Sequence, residues 1–403
     1  MKIIYLSSVC AQSRFDDLVS KGRINKQFQN QKFHHLLLKG LSESNEFDIH
    51  VISFYPINRT NSRRFRFDDE YEEGIHYIYP SYLDLPIIHH ITKSLSTFRY
   101  ISKLFCQDAV IACNIMNFDE CLAALMFRIF HKVRICAITA DVPGITSGAG
   151  KKKGALWKRI LARLAEPFYH SANSRYDGYL FLTEAMNAVV NTNSKPYIVV
   201  EGIADSKMST IDNTIANKYH NKTILYAGGL HREYGIQLLV DAFRRISDSS
   251  VELHIYGKGN YESSIIEAAK SDSRIKYFGT RSNNEIVAEQ IKAHILVNPR
   301  PSKEDFVKYS FPSKIMECMA SGTPLLTTLL PCIPSDYYPY IYTIEDETVD
   351  GVCHALQDLL GRPVEELHEK GHAAKSFILT QKNPVVQGRK LKGLLYIVQS
   401  SQQ

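Results

Sequence analysis

Short apolar runs alternate with amphipathic segments through the first half of the chain. A run of about five apolar residues bounded by polar ones is typical of a buried strand, and apolar residues spaced by three and four are typical of a helix. Strands are predicted on this basis at residues 2–7, 47–54, 75–79, 108–113, 133–139, 178–183 and 197–201, with helices at 28–41, 87–105 and 118–131. This alternation predicts a parallel, doubly wound α/β sheet.

The same alternation starts again after a polar, weakly patterned stretch at residues 202–221. Further strands are predicted from residue 223 and at 251–256, 274–278, 295–298 and 325–328. We therefore predict two Rossmann-like domains, residues 1–202 and residues 203–383, with the polar stretch as the linker.

The segment after the first predicted strand disfavours a dinucleotide-binding site. A nicotinamide-binding Rossmann unit carries Gly-x-Gly-x-x-Gly at this place, whereas the chain has Ser7-Ser-Val-Cys-Ala-Gln12. Hydride-transfer chemistry therefore loses its main support. Residues 8–25 are polar and are predicted to form a loop.

Composition narrows the class of function. The 403 residues carry a net charge of +6 with 44% hydrophobic residues, which suits a globular protein that binds an anion or an acidic membrane surface rather than nucleic acid. The eight cysteines form no Cys-x-x-Cys pair, so we expect buried thiols and no zinc site. No apolar stretch is long enough for a signal peptide or a bilayer span, and we expect a cytoplasmic protein.

Residues 310–328 hold the densest pattern in the chain, Ser-Phe-Pro-Ser-Lys-Ile-Met-Glu-Cys-Met-Ala-Ser-Gly-Thr-Pro-Leu-Leu-Thr-Thr. The segment predicts a loop, a short helix, a turn and a buried strand. Pro312 suits the first turn of a helix, where its missing N–H costs nothing. Gly322 suits a left-handed residue that ends the helix, and Pro324 prevents its continuation.

Lys314, Glu317 and Ser321 lie along one face of this predicted helix. The ammonium and the free N–H groups at the helix start favour a phosphate, and the Glu317 carboxylate can accept hydrogen bonds from two neighbouring hydroxyls. A phosphate beside a diol is one interpretation. The other is a Lys–Glu pair on a solvated face, which contributes about 0.2–0.5 kcal/mol.

This stretch resembles the donor-binding motif of family-four retaining glycosyltransferases, which have the GT-B fold of two Rossmann-like domains facing a central cleft. The resemblance covers Phe311-Pro-Ser-Lys and Ile315-Met-Glu-Cys-Met-Ala-Ser-Gly-Thr-Pro324, and it extends to residues 223–235. The branch that writes Ser-Phe-Pro-Ser-Lys is common in bacterial capsule, exopolysaccharide and O-antigen assembly. By analogy, the last helix, within residues 384–403, crosses back to the first domain.

The resemblance implies that the second domain binds a nucleotide-diphospho-sugar. Glu317 corresponds to the family's contact with ribose or sugar hydroxyls, and it is our first catalytic candidate. The expected donor-binding set is Gly228, Gly229, Arg232, Gly257, Arg300, Ser313, Lys314 and Glu317.

Four positions depart from the family pattern. Tyr309 stands where a second Glu is common, and Ala140 stands where a His commonly meets the transferred sugar. Gly229 and Tyr234 stand where an Arg and a Lys commonly serve the diphosphate. Arg232 is the expected substitute for the missing charge, with an ordinary exposed arginine as the alternative.

The first domain is expected to bind the acceptor. Asp141 follows the predicted strand at 133–139, at the end where open α/β sheets bind ligands. It is the second catalytic candidate, for chemistry at the transferred sugar or the acceptor. An Asx turn or a helix cap is the alternative for this side chain.

The resemblance therefore implies transfer of a sugar from a nucleotide-diphospho-sugar to a glycan or lipid-linked acceptor, with retention of configuration. We expect no metal, because positive side chains serve the leaving diphosphate and the chain has no Asp-x-Asp. Two alternatives stay open. One is a nucleotide-sugar epimerase or hydrolase on the same fold, and the other is a non-catalytic subunit that binds a sugar nucleotide or glycan.

Two segments suggest peripheral contact with an anionic membrane. The predicted helix at 87–105 mixes His, Lys and Arg with Ile, Leu and Phe, and the glycine-rich residues 144–154 include Lys151, Lys152 and Lys153. These lysines would attract a diphosphate or lipid headgroups, with a solvated loop as the alternative. A further helix is predicted at 155–170.

Overall fold

The computed structural model describes residues 1–23, 28–55, 64–65, 67–85, 88–142 and 171–401. The chain divides into two compact units, Met1–Ile203 with Pro384–Gln403, and Ala204–Asn383. The lysine-bearing loop predicted at 144–154 and the helix predicted at 155–170 lie outside the described residues.

The first unit is built around one twisted sheet. Its elements up to residue 199 are β1 Lys2–Leu6, α1 Gln12–Ser20, α2 Phe28–Ser42, β2 Asp48–Ile52, β3 Arg64–Phe65, β4 Glu70–Glu72, β5 Ile75–Ile78, β6 Tyr82–Leu83, α3 Ile88–Leu104, β7 Val110–Asn114, α4 Phe118–Phe130, β8 Arg134–Thr139, β9 Gly178–Phe181, α5 Glu184–Val190 and β10 Tyr197–Val199. In the described part the sheet order is β10-β9-β8-β7-β1-β2-β5-β4. All its pairings are parallel except β4 with β5, which is antiparallel.

Residues 12–20 form helix α1, so the polar loop predicted at 8–25 is wrong for this part. Phe15 and Leu18 are the buried residues of the helix, too few to produce a periodic pattern. The helix start is held by a distant side chain, because the Glu72 carboxylate accepts hydrogen bonds from the backbone N–H groups of Gln12 and Ser13. A contact of this kind leaves no local signal in the sequence.

The second unit is an all-parallel sheet with helices between its strands. Its elements are β11 Thr223–Ala227, α6 Ile236–Phe243, β12 Glu252–Tyr256, α7 Glu262–Ser271, β13 Ile275–Tyr277, α8 Asn283–Lys292, β14 Ile295–Asn298, α9 Ser313–Ser321, β15 Leu325–Thr328, β16 Tyr342–Ile344, α10 Val349–Gly361 and α11 Val364–Gln381. The sheet order is β13-β12-β11-β14-β15-β16. The chain therefore forms one half of the sheet from β11 to β13. It then crosses to the other side of β11, where β14, β15 and β16 form the second half.

Alternate residues of β11 enter opposite hydrophobic cores. Ile224 and Tyr226 pack in the core that holds α6 and α10, whereas Leu225 packs in the core that holds α9 and α11. A strand that is buried on both faces is apolar throughout, which is why its pattern was recognisable in the sequence.

The polar residues before β11 form part of the second unit. They contain no strand, as predicted, but the Asn213 amide donates hydrogen bonds to the Ser321 carbonyl and the Thr323 hydroxyl, each at 2.9 Å. The Lys218 ammonium donates to the carbonyls of Ile291 and Ala293 at the end of α8. This segment is therefore anchored to the unit along its length.

The last helix, α12 Pro384–Ser400, packs against α2 in the first unit. The two backbones touch, because a Cβ atom at Gly40 would lie 1.8 Å from the Pro384 carbonyl oxygen and one at Gly388 would lie 2.2 Å from the carbonyl carbon of Gly40. Glycine permits this approach.

The structure confirms the predicted fold class of two Rossmann-like, doubly wound α/β units.

Candidate functional site

The candidate donor site lies where β11 and β14 end side by side. These neighbouring strands lead to opposite halves of the sheet, which makes their carboxyl ends the switch point at which open α/β sheets bind ligands. Gly228 and Gly229 follow β11, and Arg300 follows β14 by two residues. The structure therefore places three of the predicted residues, Gly228, Gly229 and Arg300, at this edge of the sheet.

Helix α9 begins at Ser313 and ends at Ser321, followed by Gly322 in the left-handed conformation with φ +79°. Pro312 is the residue just before the helix rather than part of its first turn, and it provides no side-chain cap. The first N–H groups of a helix have no partner within it. The Ser313 end of α9 therefore presents backbone donors, as the phosphate interpretation requires.

The Lys314 ammonium lies against the turn that follows β11. A Cβ atom added at Gly228 would lie only 1.8 Å from the Lys314 Nζ atom, so the lysine fills the space that any other residue at 228 would need. The same Nζ atom is 4.3 Å from the centroid of the Tyr226 ring. A glycine notch and an aromatic face thus fix the position of the cation.

Gly257 shapes this turn from the other side. Its φ is +126°, and a Cβ atom there would lie 1.8 Å from the Gly228 carbonyl oxygen. The Gly228 N–H donates a hydrogen bond to the Tyr256 carbonyl at 3.0 Å, and the Tyr226 hydroxyl donates to the Gly229 carbonyl at 2.8 Å. Gly228 and Gly257 therefore contribute to the site by letting backbone and side-chain atoms approach closely where a Cβ atom would clash.

Arg300 is a buried cation held between two aromatic rings. Its guanidinium carbon is 5.3 Å from the centroid of Phe306 and 5.8 Å from that of Tyr234. The side chain is 9% exposed, and its Nε atom has no hydrogen-bond partner among the described residues. Burial lowers the pKa of the guanidinium from its ordinary value, but an arginine keeps its charge in proteins.

Tyr234 therefore contacts Arg300 at the position where the resembling family commonly has a lysine. Gly235 brings the Tyr234 turn close to Arg300, because a Cβ atom at Gly235 would lie 1.8 Å from the Pro299 carbonyl oxygen and its φ is +78°. Arg300, two residues after β14, therefore supplies the positive charge next to Tyr234.

Arg232 lies on the outer side of the same turn. Its side chain is exposed, and its guanidinium carbon is 5.2 Å from the centroid of Tyr261. Arg300 instead stacks on Tyr234 and Phe306, so the two arginines contact different rings. Arg232 remains a predicted phosphate ligand. Arg300 is the stronger candidate, because its side chain is buried and held by two aromatic rings.

The two cations influence each other. Burial lowers the pKa of the Lys314 ammonium to about 8, and the nearby charge of Arg300 acts in the same direction, while Cys318 and Glu317 act in the opposite one. Like charges held close in a partly buried place destabilise each other unless an anion joins them. The arrangement therefore favours binding of an anionic group such as a diphosphate.

Glu317 and Tyr309 flank this cluster along the chain. Glu317 is partly buried on α9, one turn after Lys314, and its charge raises the pKa of the lysine. Tyr309 ends the 3₁₀ helix Asp305–Tyr309 and is buried, with the Lys308 Nζ atom 5.1 Å from its ring centroid. The place of the family's second Glu is thus filled by a packed aromatic ring.

Asp141 belongs to the first unit. It follows β8 with Ala140 between them, its side chain is exposed, and the next residue, Val142, is buried. The structure therefore places Asp141 at the carboxyl edge of that unit's sheet, where an acceptor-side residue is expected.

A pocket in the first unit lies where β1, β2 and β5 end. It is lined by Cys10, Arg14, Leu18, Ser53, Phe54, Tyr55, Phe67, Tyr79, Pro80 and Tyr82. Arg14 forms an ion pair with Glu70 at 2.6 Å. The hydroxyls of Ser53 and Tyr55 are buried without a hydrogen-bond partner among the described residues. Buried polar groups ordinarily have partners, and the pocket, with about 20 Å³ of free volume, has room for a water molecule beside these hydroxyls.

Sequence reasoning missed the aromatic residues that hold the cations and the residues of this pocket. Tyr226 lies within the segment that resembles the glycosyltransferase family, but the resemblance gave it no role, and Phe306 lies outside that segment. The role of both rings depends on charges that they meet only in the folded chain. Arg14 lies in the segment that was predicted to be a loop.

Metal binding and membrane insertion each require a specific arrangement of residues. Within the described ranges, no three His, Cys, Asp or Glu side chains are grouped so that they could hold a metal ion. None of the helices that the structure describes combines the length and the apolar character needed to cross a bilayer. All eight cysteines are unpaired and seven are buried, as expected from the sequence.

Part of the second unit matches a known family model. Residues 221–361 match the family model described as "Glycosyl transferases group 1". This range includes every predicted donor-binding residue from Gly228 to Glu317. A comparison with curated protein sequences gives no significant match.

Solved structures resemble the chain over its whole length. Sucrose-phosphate synthase from Thermosynechococcus elongatus aligns with a TM-score of 0.70 at 11% identity, covering 100% of both chains. The lipopolysaccharide outer core galactosyltransferase WaaB, in its apo form, aligns with a TM-score of 0.62 at 15% identity, covering 98% of this chain and 99% of that one. Anabaena HepE in complex with UDP-glucose aligns with a TM-score of 0.62 at 10% identity, covering 98% and 100%. The chain therefore has the GT-B fold, and its second unit carries the sequence pattern of group 1 glycosyltransferases.

Proposed function

We propose that the chain is a retaining glycosyltransferase of family four that transfers a sugar from a nucleotide-diphospho-sugar to a glycan or lipid-linked acceptor in the assembly of a bacterial surface polysaccharide. The observation that carries the proposal is the Lys314 ammonium fixed against Gly228 at the sheet switch point. It lies within the segment that matches the glycosyltransferase family.

Lys314 and Arg300 bind the diphosphate of the donor in this proposal. Negative charge grows on the diphosphate as its bond to the sugar breaks, and cations that are already in place stabilise that charge without rearrangement. The rings of Tyr226, Tyr234 and Phe306 hold the two cations in place. The N–H groups at the Ser313 end of α9 add donors to the same phosphate.

Glu317 binds two neighbouring hydroxyls of the ribose or the sugar. A carboxylate can accept a hydrogen bond on each oxygen, and Glu317 follows Lys314 by one turn of α9. A phosphate at the start of the helix and a diol further along it therefore suit one bound nucleotide sugar.

Transfer proceeds with retention. The acceptor hydroxyl attacks the anomeric carbon from the face that the diphosphate leaves, so that the new C–O bond forms as the old one breaks. The hydroxyl proton passes to an oxygen of the departing diphosphate. Because the side chains of Lys314 and Arg300 supply the positive charge, the step requires no metal.

The first unit binds the acceptor in this proposal. Asp141 is exposed at the end of β8. Asp141→Asn should raise the KM for the acceptor and leave donor binding unchanged, because it removes the negative charge and keeps the shape of the side chain. An unchanged KM would exclude Asp141 from the acceptor site.

The test of the function is nucleoside diphosphate release from sugar nucleotides, measured with and without a lipid-linked saccharide. UDP-sugars are the first donors to use, because HepE was solved with UDP-glucose. Release that requires the acceptor supports a transferase. Release without it supports an epimerase or hydrolase, and binding without release supports a non-catalytic subunit; either result would overturn the proposal.

A further inference from the structure

Helix α3 presents an apolar stripe to solvent. Ile88, Ile91 and Leu95 are exposed at a spacing of three and four, with Ile91 55% and Leu95 63% accessible. The opposite side of the helix is the packed one, where Thr97 and Ile101 are buried. The stripe is therefore a second apolar face that the fold of the unit does not use.

The same helix carries only basic charge. Residues 88–104 include Lys93, Arg99 and Lys103 but no Asp or Glu, and Arg99 and Lys103 are exposed beyond the apolar stripe. Apolar side chains bordered by Arg and Lys on one helix are typical of a segment that lies in the interface of a bilayer.

Helix α4, the neighbour of α3, also exposes apolar side chains. It packs beside α3, since Ser94 donates a hydrogen bond to the Asp119 carbonyl near one end and Phe105 contacts Phe127 near the other. Three apolar side chains of α4 are also exposed, namely Met126, Ile129 and Phe130. His131 and Lys132 follow directly and are exposed as well.

The two acidic residues of α4 do not oppose this basic surface. Asp119 is paired with His90 of α3 at 2.7 Å, and its side chain is 13% exposed. Glu120 is buried. The outer face of the α3–α4 pair therefore combines apolar and basic groups, which complements a negatively charged surface with an apolar interior.

We propose that the α3–α4 face of the first unit docks on the surface of an anionic lipid bilayer. The apolar stripe of α3 enters the boundary between headgroups and acyl chains, while Arg99 and Lys103 contact the headgroups. This inference does not depend on the donor site, because it uses side chains of the first unit only.

The test is co-sedimentation with vesicles of phosphatidylcholine, prepared with and without phosphatidylglycerol. The protein should bind the vesicles that contain phosphatidylglycerol, and binding should weaken as salt is added. The combined variant Ile91→Glu, Leu95→Glu should lower the bound fraction about tenfold. Arg99→Ala with Lys103→Ala should remove the preference for phosphatidylglycerol.

Ile397→Glu is the matched control, because Ile397 is 52% exposed on α12 of the same unit. It should bind vesicles like the unmodified protein. Circular dichroism and thermal melts show that each variant is folded, and Ile91→Ser is the milder change if the glutamates prevent folding.

Three results would overturn the inference. The first is an unmodified protein that stays in solution with phosphatidylglycerol vesicles. The second is a stripe variant that binds as well as the Ile397→Glu control. The third is a dimer that the stripe variant abolishes while vesicle binding is unaffected, since this would make the face a contact between copies of the chain.

Discussion

The Nζ atom of Lys314 lies 1.8 Å from the point where a Cβ atom at Gly228 would stand. Position 228 therefore determines where the ammonium lies, although the two residues are on different elements of the second unit. The contact holds a cation at the ends of β11 and β14, and this is the physical basis of the proposed diphosphate site.

Gly228→Ala should displace the Lys314 ammonium and weaken UDP binding about tenfold, or about 1.4 kcal/mol. The unit should stay folded but become less stable. The methyl group meets the end of a flexible side chain, whereas φ at Gly228 is +158°, which residues with a side chain rarely adopt. Titration calorimetry measures the change in UDP affinity. Gly279→Ala is the control, since its φ of +70° also strains an alanine and nothing lies within 4 Å of a Cβ atom added there. Equal UDP affinities in the two variants would contradict the role of this contact.

The pKa of Lys314 predicts a pH dependence of both stability and binding. Burial lowers this pKa from an ordinary value of 10.5 to about 8. Between these values the unfolded chain holds a proton that the folded, unliganded protein has released, so stability rises with pH in this window, by on the order of 1 kcal/mol. In the proposed site UDP contacts the charged ammonium, so its affinity should fall as the pH rises above about 8.

Lys314→Met should abolish the contribution of Lys314 to the pH dependence of stability and of UDP binding. Lys218, whose pKa burial also lowers to about 8, contributes to stability with the same sign, so only the difference between the protein and the variant reports on Lys314. Thermal melts and calorimetry below and above pH 8 measure that difference. The same pH slope in both proteins would show that the ammonium does not contact the nucleotide.

Arg300→Met should separate stability from binding. It replaces a buried guanidinium, next to another cation, with an apolar side chain, so the melting temperature without UDP should stay the same or rise by a few degrees, about 1 kcal/mol. The stabilisation that UDP adds should fall. Melts with and without UDP test this directly.

Arg232→Met is the comparison for this experiment, because Arg232 is exposed on the same turn. If Arg232→Met loses the stabilisation by UDP and Arg300→Met keeps it, the phosphate ligand has been assigned to the wrong arginine.

Glu317→Gln should lower the rate of transfer about 100-fold or more, in the range found when a group that stabilises the transition state is removed. The fold should be intact, since the side chain is only partly buried and the amide has the same shape. Glu365→Gln, on the exposed surface of α11, is the control. Normal transfer by Glu317→Gln would exclude this residue from the site.

The strands and most helices could be predicted because their signals are local. Helix α9 ends at Ser321, and Gly322 follows it with a φ of +79°, the left-handed conformation that the sequence predicted. Strand β11 was recognisable because both of its faces are buried. Helix α1 was missed because its start depends on Glu72, a residue far along the chain.

The candidate site could be predicted only in part. The sequence placed Lys314 and Glu317 on one helix face, and Arg300 after a strand. It could not show that Lys314 would fill the space beside Gly228, nor that Arg300 would lie between Tyr234 and Phe306, because these contacts join separate elements. The sequence also could not show that Tyr234, at the place of the family's lysine, would contact the cation Arg300.

A crystal structure with bound nucleotide tests the central claim most directly. Crystals soaked with UDP and, in parallel, with GDP should show the diphosphate within about 3 Å of the Lys314 Nζ atom and the Arg300 guanidinium, with ribose hydroxyls at Glu317. A diphosphate bound elsewhere, or a site left empty by both nucleotides, would contradict the account.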